Sequence, residues 1–233
     1  METIAKTLEK DISTISKEKA SRLLWLGRYT ERAYVTLHLL RKYHDLMIDE
    51  DEFAYITYCE KMGIENQYRS SADFMNRYLY DRTNPDSLIS MLTFANDNAI
   101  VLREEITSET LSYIQLSISH LNDCVERKCN IVDLQHITDY LLAFWGSVDA
   151  RVGSSSLRCV LKAGKLMECI DLYIRFDYSF DRIYQFFIPL SDLVSKEKYI
   201  FNEEKLKHLH KSMTRNSYKD AKTLESVNGL FYA

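Results

Sequence analysis

The scarcity of glycine and proline is the feature that most restricts how this chain folds. Its 233 residues contain 6 glycines and 2 prolines, whereas average usage is roughly 7% and 5%. Sheet proteins need frequent turns, and turns depend heavily on these two residues. A chain with so few of them must consist of long elements joined by few turns. The sequence therefore predicts an all-α fold.

Apolar periodicity and capping residues divide the chain into a series of helices. No stretch rich in glycine, serine or proline separates them, so we predict a single helical-bundle domain over residues 1–233, with a core at about 16–187 and a helical tail at about 200–228. Asn84, which precedes a proline, is typical of an N-cap, and Pro189 is expected to end a helix. The predicted helices span residues 16–47, 52–61, 66–80, 85–105, 107–127, 131–146, 154–187, 202–213 and 217–227.

Charge and hydropathy exclude several classes of function. The formal net charge is -4, whereas a general nucleic-acid-binding protein carries a basic excess. Residues 1–20 are charged and lack the apolar segment of a signal peptide, and the longest apolar run, 140–148, is far shorter than the roughly 20 residues of a transmembrane helix. The scattered cysteines lack zinc-ligand spacing and are typical of reduced thiols. We therefore expect a cytoplasmic protein that binds neither nucleic acid nor a membrane.

Two arginines of the first predicted helix lie on its apolar side. At about 100° per residue, Arg28 and Arg32 fall within a wide apolar arc, and Glu31 lies at the edge of that arc. A guanidinium stays charged in proteins, and a buried charge without a partner costs on the order of several kcal/mol. Both arginines therefore need carboxylates, carbonyls or a bound anion as partners.

A weak internal sequence repeat indicates where those partners lie. Residues 164–169 (GKLMEC) repeat part of the pattern of residues 27–32 (GRYTER). The second copy keeps the glycine and the glutamate (Glu168), has Lys165 as its basic residue, and has Cys169 in place of the second arginine. We interpret this as a degenerate internal repeat of a long Glu-Arg-motif helix, with two copies packed about a pseudo-twofold axis and the glycines at their crossing. The ion pairs predicted across this crossing join Glu31 and Glu168 to Arg28, Arg32 and Lys165.

The segment around the two arginines resembles the opening motif of a known bacterial family. Residues 25–33 (WLGRYTERA) are similar to the W-L-G-R-Y-x-E-R-A opening of alpha-E proteins, a helical family named for its Glu-Arg motif. Residues 81–88 (DRTNPDSL) resemble its D-R-x-N-P-x-S-[IL] segment, and residues 98–109 resemble the block that follows. In the family the motif recurs near the C-terminus, where residues 164–169 stand here. The resemblance covers most of residues 20–180, and the second motif departs from it by lacking both arginines and the tyrosine.

The genes that surround alpha-E members indicate the kind of system to which they belong. They lie beside ATP-grasp amide ligases and transglutaminase-like or amidohydrolase-type peptidases, which implies a system that forms or modifies amide bonds. We therefore expect a helical component that acts with an ATP-grasp-type ligase and binds a carboxylate-bearing peptide or a partner, because an arginine fork suits a planar carboxylate. The candidate binding residues are Arg28, Glu31, Arg32, Lys165, Glu168, Asp81, Arg82, Asn84, Asn98 and Arg103.

Two other interpretations of the same charged residues stay open. In one, the chain is itself an enzyme acting on peptide or amide bonds, with Glu31 as a general base whose pKa is raised by burial. In the other, the charges only fix the register of helices in a structural, protein-interaction bundle. The sequence has no Walker loop, no GxGxxG pattern and no pair of Glu-x-x-His motifs, so neither a nucleotide cofactor nor a metal is predicted. Cys169 has basic neighbours, but core packing is its expected role.

Overall fold

Eleven α-helices account for most of the described chain. The computed structural model describes residues 15–127 and 129–232, and within these ranges no strand forms beyond an isolated bridge between Phe201 and Phe231. The all-α class predicted from the scarcity of glycine and proline is confirmed. The helices are α1 (Lys17–Asp49), α2 (Ala54–Met62), α3 (Ser71–Tyr80), α4 (Leu88–Val101), α5 (Arg103–Ile106), α6 (Ser108–Arg127), α7 (Gln135–Arg151), α8 (Ser155–Arg175), α9 (Phe180–Lys196), α10 (Glu203–Ser212) and α11 (Ala221–Asn228).

The described helices do not test every prediction made for the whole chain. The absence of a signal peptide is predicted from residues 1–20, of which residues 1–14 lie outside the described residues. The single domain and the internal repeat stay predictions. Among the helices that the structure describes, none combines the length and the apolar character needed to cross a membrane.

Helices α1 and α8 are the two longest described helices, and their crossing organises the fold. Their contacts advance in the same direction along both helices, from Leu24 against Gly164 to Tyr43 against Phe176. The two helices therefore run parallel. A serine caps the N-terminus of each one by accepting a hydrogen bond from the backbone N–H three residues further on.

The other long helices pack around this pair. Helix α4 lies antiparallel to α1, because Tyr29 contacts Phe94 (5.2 Å between ring centroids) while Thr36, further along α1, contacts Met91. Helices α6 and α7 pack against each other, and α9 packs on α8. The middle of α1 is therefore enclosed on most sides, so that even the polar side chain of Thr30 is buried.

The C-terminal tail packs against α8. Helices α10 and α11 contact each other, and the N–H of Asn202 donates to the carbonyl of Leu230 (2.6 Å). Val227 and Leu230 are fully buried, and α11 lies against α8. The tail thus covers part of α8, the helix that carries Glu168.

The single helix predicted over residues 154–187 is wrong, because the segment forms two helices, α8 and α9. Asp177 adopts a φ of 60° at the end of α8, and aspartate is one of the few residues besides glycine that enter this left-handed conformation readily. Its carboxylate accepts hydrogen bonds from Lys61 (2.8 Å) and Lys219 (2.7 Å). The turn is stabilised by residues distant in sequence, which is why no local pattern predicts it.

Pro189 does not end a helix as predicted. It lies inside α9, which continues to Lys196. Proline removes one backbone hydrogen bond, but Pro189 and Gln185, whose carbonyl loses its partner, are both exposed, so water can replace the missing bond. The opposite face of α9 is apolar and stabilises the helix by burying Ile183, Phe187, Leu190 and Val194.

The helix start predicted at Asn84 is also wrong. Helix α4 begins at Leu88, and its N-cap is Ser87, whose hydroxyl accepts from the backbone N–H of Ser90 (3.2 Å). Asn84 instead forms a turn in which its Oδ1 accepts from the N–H of Asp86 (2.9 Å). Both residue types are good N-caps, and the burial of Leu88 decides between them. Helix α4 also ends earlier than predicted, and the short α5 follows it.

Candidate functional site

Two glycines allow the backbones of α1 and α8 to touch. A Cβ atom added at Gly27 would overlap the carbonyl oxygen of Leu161, and one added at Gly164 would overlap that of Leu24. Glycine, which has no Cβ atom, permits this approach. The close crossing brings the polar side chains of the next turn of each helix within reach of each other.

Glu168 is buried next to this crossing and binds two arginines. Its side chain is 0% exposed. Its Oε2 accepts a hydrogen bond from Arg28 Nε (2.7 Å), and its Oε1 accepts one from Arg32 Nε (2.5 Å). Both oxygens of the carboxyl group therefore accept from guanidinium donors, the geometry of a charge-assisted pair. Burial lowers the pKa of Arg32, but the charge and hydrogen bond of Glu168 outweigh burial and raise that pKa above its ordinary value.

A chain of hydrogen bonds continues from Arg28 away from Glu168. Arg28 Nη2 donates to Asn228 Oδ1 (2.8 Å), and Asn228 Nδ2 donates to Asp171 Oδ1 (2.8 Å). The other oxygen of Asp171 accepts from Arg175 Nε (2.7 Å). These connected side chains of α1, α8 and α11, which we call the arginine network, are Arg28, Arg32, Glu168, Asp171, Arg175 and Asn228.

The arginine network holds more positive than negative groups. It contains three guanidinium groups, which stay charged, and two carboxylates, so one positive charge has no counter-charge inside the network. The Arg32 side chain is 25% exposed. Within residues 15–127 and 129–232, no hydrogen bond reaches its two terminal nitrogens. Arg32 therefore presents a guanidinium edge that can bind an anion.

Glu31 belongs to a second cluster, next to the network. Its Oε2 lies 3.8 Å from Lys165 Nζ, as the predicted pairing requires, and its Oε1 accepts from the thiol of Cys169 (3.1 Å). In the part of the chain that the structure describes, no donor lies within hydrogen-bond distance of Glu31 Oε2, and the buried indole N–H of nearby Trp145 lies close enough to lower the pKa of the Glu31 carboxyl. We call these four residues the Glu31 cluster.

Burial controls the ionisation of the Glu31 cluster. It raises the pKa of Glu31, which is 3% exposed, above the ordinary value of 4.5, and the charge of Lys165 lowers that pKa only in part. Burial also raises the pKa of the Cys169 thiol, and the nearby Glu31 carboxyl adds to the effect. Because a thiol with a raised pKa is a poor nucleophile, Cys169 is better suited to packing than to catalysis.

The raised pKa of Glu31 predicts how stability depends on pH. Between 4.5 and the higher pKa of the folded state, the folded chain holds a proton that the unfolded chain has released. The free energy of unfolding therefore falls as pH rises through this interval. We expect Glu31→Gln to remove this part of the pH dependence, as measured by urea unfolding of both proteins from pH 4.5 upward. A stability difference between the two proteins that does not change with pH would contradict the raised pKa.

The residues Asp81, Arg82 and Asn84 form a turn apart from the arginine network. Asp81 accepts hydrogen bonds within the turn, which lower the pKa of its carboxyl group. Arg82 donates to Asn122 (2.8 Å), and Asn84 Nδ2 donates to the hydroxyl of Tyr68 (3.0 Å). No hydrogen bond among the described residues joins this turn to the arginine network. Its three candidates are therefore not hydrogen-bonded into one cluster with Arg28.

The remaining candidates, Asn98 and Arg103, are not hydrogen-bonded to the network. Asn98 donates to a carbonyl of its own helix (2.9 Å) and lines a surface groove of about 480 Å³ together with Trp25. This groove adjoins Arg28, whose guanidinium lies 5.1 Å from the centre of the Trp25 ring. Arg103 is exposed on α5. Asn98 thus lies near the network without a bond to it, and Arg103 is not part of it.

Besides Cys169, four residues of the two clusters are missing from the sequence-based candidates. Asp171 and Arg175 lie one and two turns after Glu168 on α8, so a helical wheel of the second motif would have found them. Asn228 and Trp145 come from other helices. No local pattern connects either of them with the motif, so only the packing of the helices reveals their place.

Fold and site together define a class of protein: an all-helical chain whose two longest described helices are joined at a glycine crossing by buried glutamate–arginine pairs. The chain belongs to the Alpha-E family, described as a predicted alpha-helical domain with a conserved ER motif, whose family model matches residues 17–182. Glu31 and Arg32 are consecutive residues within that match, and both contact α8. Comparisons with curated proteins and with solved structures found no significant match.

Proposed function

We propose that this chain is a binding component of a system that forms or modifies amide bonds, that it acts with an ATP-grasp-type ligase, and that its arginine network binds a carboxylate-bearing peptide or partner segment. The observation that carries the proposal is the unbalanced positive charge of the network, together with the partly exposed side chain of Arg32, whose terminal nitrogens have no hydrogen bond among the described residues. The ligase partner is inferred from the resemblance to alpha-E proteins and their gene neighbours.

The hydrogen bonds of the two guanidinium groups support this proposal. The Nε atoms of Arg28 and Arg32 both donate to Glu168, which holds the two helices in register. The terminal nitrogens of Arg32 are left to bind a ligand. Because its Nε is bonded to a buried carboxylate, the Arg32 guanidinium is held in place before a ligand arrives, and such preorganisation reduces the entropy cost of binding. The register role and the binding role therefore fit the same residues.

Replacement of Arg32 tests this proposal. We expect the purified chain to bind the peptide N-acetyl-Ala-Ala through its carboxylate, and Arg32→Ala to weaken this binding at least about tenfold, because a charge-assisted hydrogen bond is lost. Isothermal titration calorimetry measures both affinities, with Arg41→Ala on the same helix as the matched control. The same titration with the ATP-grasp-type ligase of the same genome as injectant tests the partner.

Three results would contradict the proposal. Equal affinity of wild type and the folded R32A variant would remove the network from peptide binding. Equal affinity for N-acetyl-Ala-Ala and its C-terminal amide would show that the carboxylate is not recognised. Absence of binding heat when the ligase is injected would contradict the proposed partnership with the ligase.

The Glu31 cluster favours a second candidate function, an enzyme that acts on peptide or amide bonds. Its support is the raised pKa of Glu31 and the Oε2 atom without a hydrogen-bond partner among the described residues, since general bases have pKa values near the working pH. This function differs from the first in requiring turnover by the purified chain that Glu31→Gln abolishes. Because Glu31 is only 3% exposed, a substrate would have to reach it through a rearrangement, so binding by Arg32 is the function that the geometry supports better.

A further inference from the structure

Asn228 occupies a terminal nitrogen of Arg28 that would otherwise be open to a ligand. Its Oδ1 accepts from Arg28 Nη2 (2.8 Å), and its Nδ2 donates to Asp171 Oδ1 (2.8 Å). The amide thus presents one acceptor to a guanidinium and one donor to a carboxylate that lie side by side. Asn228 belongs to the C-terminal tail, beyond residues 17–182 that match the family model.

The C-terminus of a peptide carries the same pair of groups. Its carboxylate is an acceptor, and the N–H on the same α-carbon is a donor. In place of the Asn228 amide, a peptide C-terminus would bind Asp171 through its N–H and Arg28 through one carboxylate oxygen, which leaves the other oxygen for Arg32. A carboxylate also forms a stronger, charge-assisted hydrogen bond with a guanidinium than a neutral amide does, and it supplies the negative charge that the arginine network lacks.

The Asn228 side chain can leave Arg28 while the tail stays folded. Asn228 is exposed and is the last residue of α11. The helix is anchored by other residues, because Thr223 and Val227 are fully buried. Rotation of this one side chain frees Arg28 Nη2 and also breaks the hydrogen bonds of Asn228 Nδ2 to Asp171 and to the carbonyl of Leu224 (3.1 Å).

We propose that Asn228 is an internal competitor for a site that selects a carboxylate with an N–H on its α-carbon, as found at the C-terminus of a peptide. This inference rests on the proposed function, in which the arginine network binds a carboxylate-bearing peptide. Because the amide must leave before the ligand reaches Arg28, Asn228 lowers the apparent affinity by the fraction of chains in which Arg28 is free. The tail thereby sets the peptide concentration at which the site fills.

Calorimetric titration of N-acetyl-Ala-Ala into wild type and Asn228→Ala tests the competitor. We expect the variant to bind at least about tenfold more tightly, because the hydrogen bonds of Asn228 to two charged groups, Arg28 and Asp171, no longer have to be broken. Asn216→Ala, a change of an exposed asparagine in the same tail, is the matched control and should bind like wild type.

Propionate, which has a carboxylate but no N–H, should bind N228A about tenfold more weakly than the peptide does. Free L-alanine binding as tightly as the peptide would overturn the assignment to a peptide C-terminus.

The two proposals fail in different ways. If N228A binds the peptide no more tightly than wild type while R32A still weakens binding, the competitor is overturned and the proposed function stands. If neither wild type nor N228A binds the peptide, both are overturned. A measurement on wild type alone avoids dependence on the folding of N228A: saturating peptide should move the side-chain amide signals of Asn228 in a ¹⁵N–¹H NMR spectrum to the position of a free amide. Unchanged signals would overturn the competitor.

Discussion

Replacing Glu168 by glutamine (E168Q) is expected to lower the free energy of unfolding by about 3–5 kcal/mol, the loss typical of removing one partner from a buried ion pair. Glu168 is fully buried and is hydrogen-bonded to Arg28 and Arg32 at once. Glutamine has nearly the same shape, but it carries no charge, and its NH₂ group must face one of two guanidinium donors. Urea unfolding at neutral pH measures the loss.

The matched control for E168Q is E31Q, the same chemical change at the corresponding place on α1. Burial already disfavours the charged form of Glu31, so its replacement by a neutral side chain removes a group that stabilises the fold little. We expect a change of less than about 1 kcal/mol near neutral pH. Equal losses in the two variants would contradict the role of Glu168 as the main counter-charge of the crossing.

Replacing Gly27 by alanine (G27A) is expected to destabilise the fold by about 3 kcal/mol or more. Overpacking a core costs typically 1–3 kcal/mol and occasionally more, and here the added Cβ meets the backbone carbonyl of Leu161, which cannot rotate away. Helices α1 and α8 must therefore move apart, and this lengthens the hydrogen bonds of Glu168. The better helix propensity of alanine returns only about 1 kcal/mol.

Gly146 offers a control for the propensity effect alone. It lies inside α7, and nothing within 4 Å would meet an added Cβ atom. We expect G146A to raise the free energy of unfolding by about 0.5–1 kcal/mol. Thermal or urea unfolding of G27A, Gly164→Ala and G146A compares the three positions. A G27A protein as stable as wild type would show that the two helices do not touch at this glycine.

The core of the arginine network could be predicted from the sequence because burial of charge is a strong constraint. Arg28 and Arg32 lie on the apolar side of a long helix, so they must find counter-charges, and Glu168 is in the corresponding place of a similar helix. The choice between Glu31 and Glu168 as the partner of both arginines could not be made in this way. It depends on the crossing of α1 and α8, which gives Glu168 two guanidinium groups and gives Glu31 one distant lysine and a thiol.

The candidates near Asp81 show the opposite outcome. Their residue types suit an anion site at a helix start, but Asp81 and Asn84 use their polar atoms within a turn and on Tyr68, and helix α4 begins later, after Ser87. The sequence shows which polar groups these residues carry, but it does not show how far they lie from Arg28. Helices pack through contacts between residues far apart in the chain, and those contacts decide which polar groups share a site.

The sequence by itself determined that this chain is helical, that two arginines of the Glu-Arg motif need buried partners, and that glycines accompany both motif helices. These conclusions follow from local propensity and from the cost of burying an unpaired charge. The tertiary structure decided the rest: the turn at Asp177 held by two distant lysines, the helix that continues through Pro189, and the place of Asn228 over Arg28. Each depends on an interaction between segments remote in sequence, whose energy no local pattern contains.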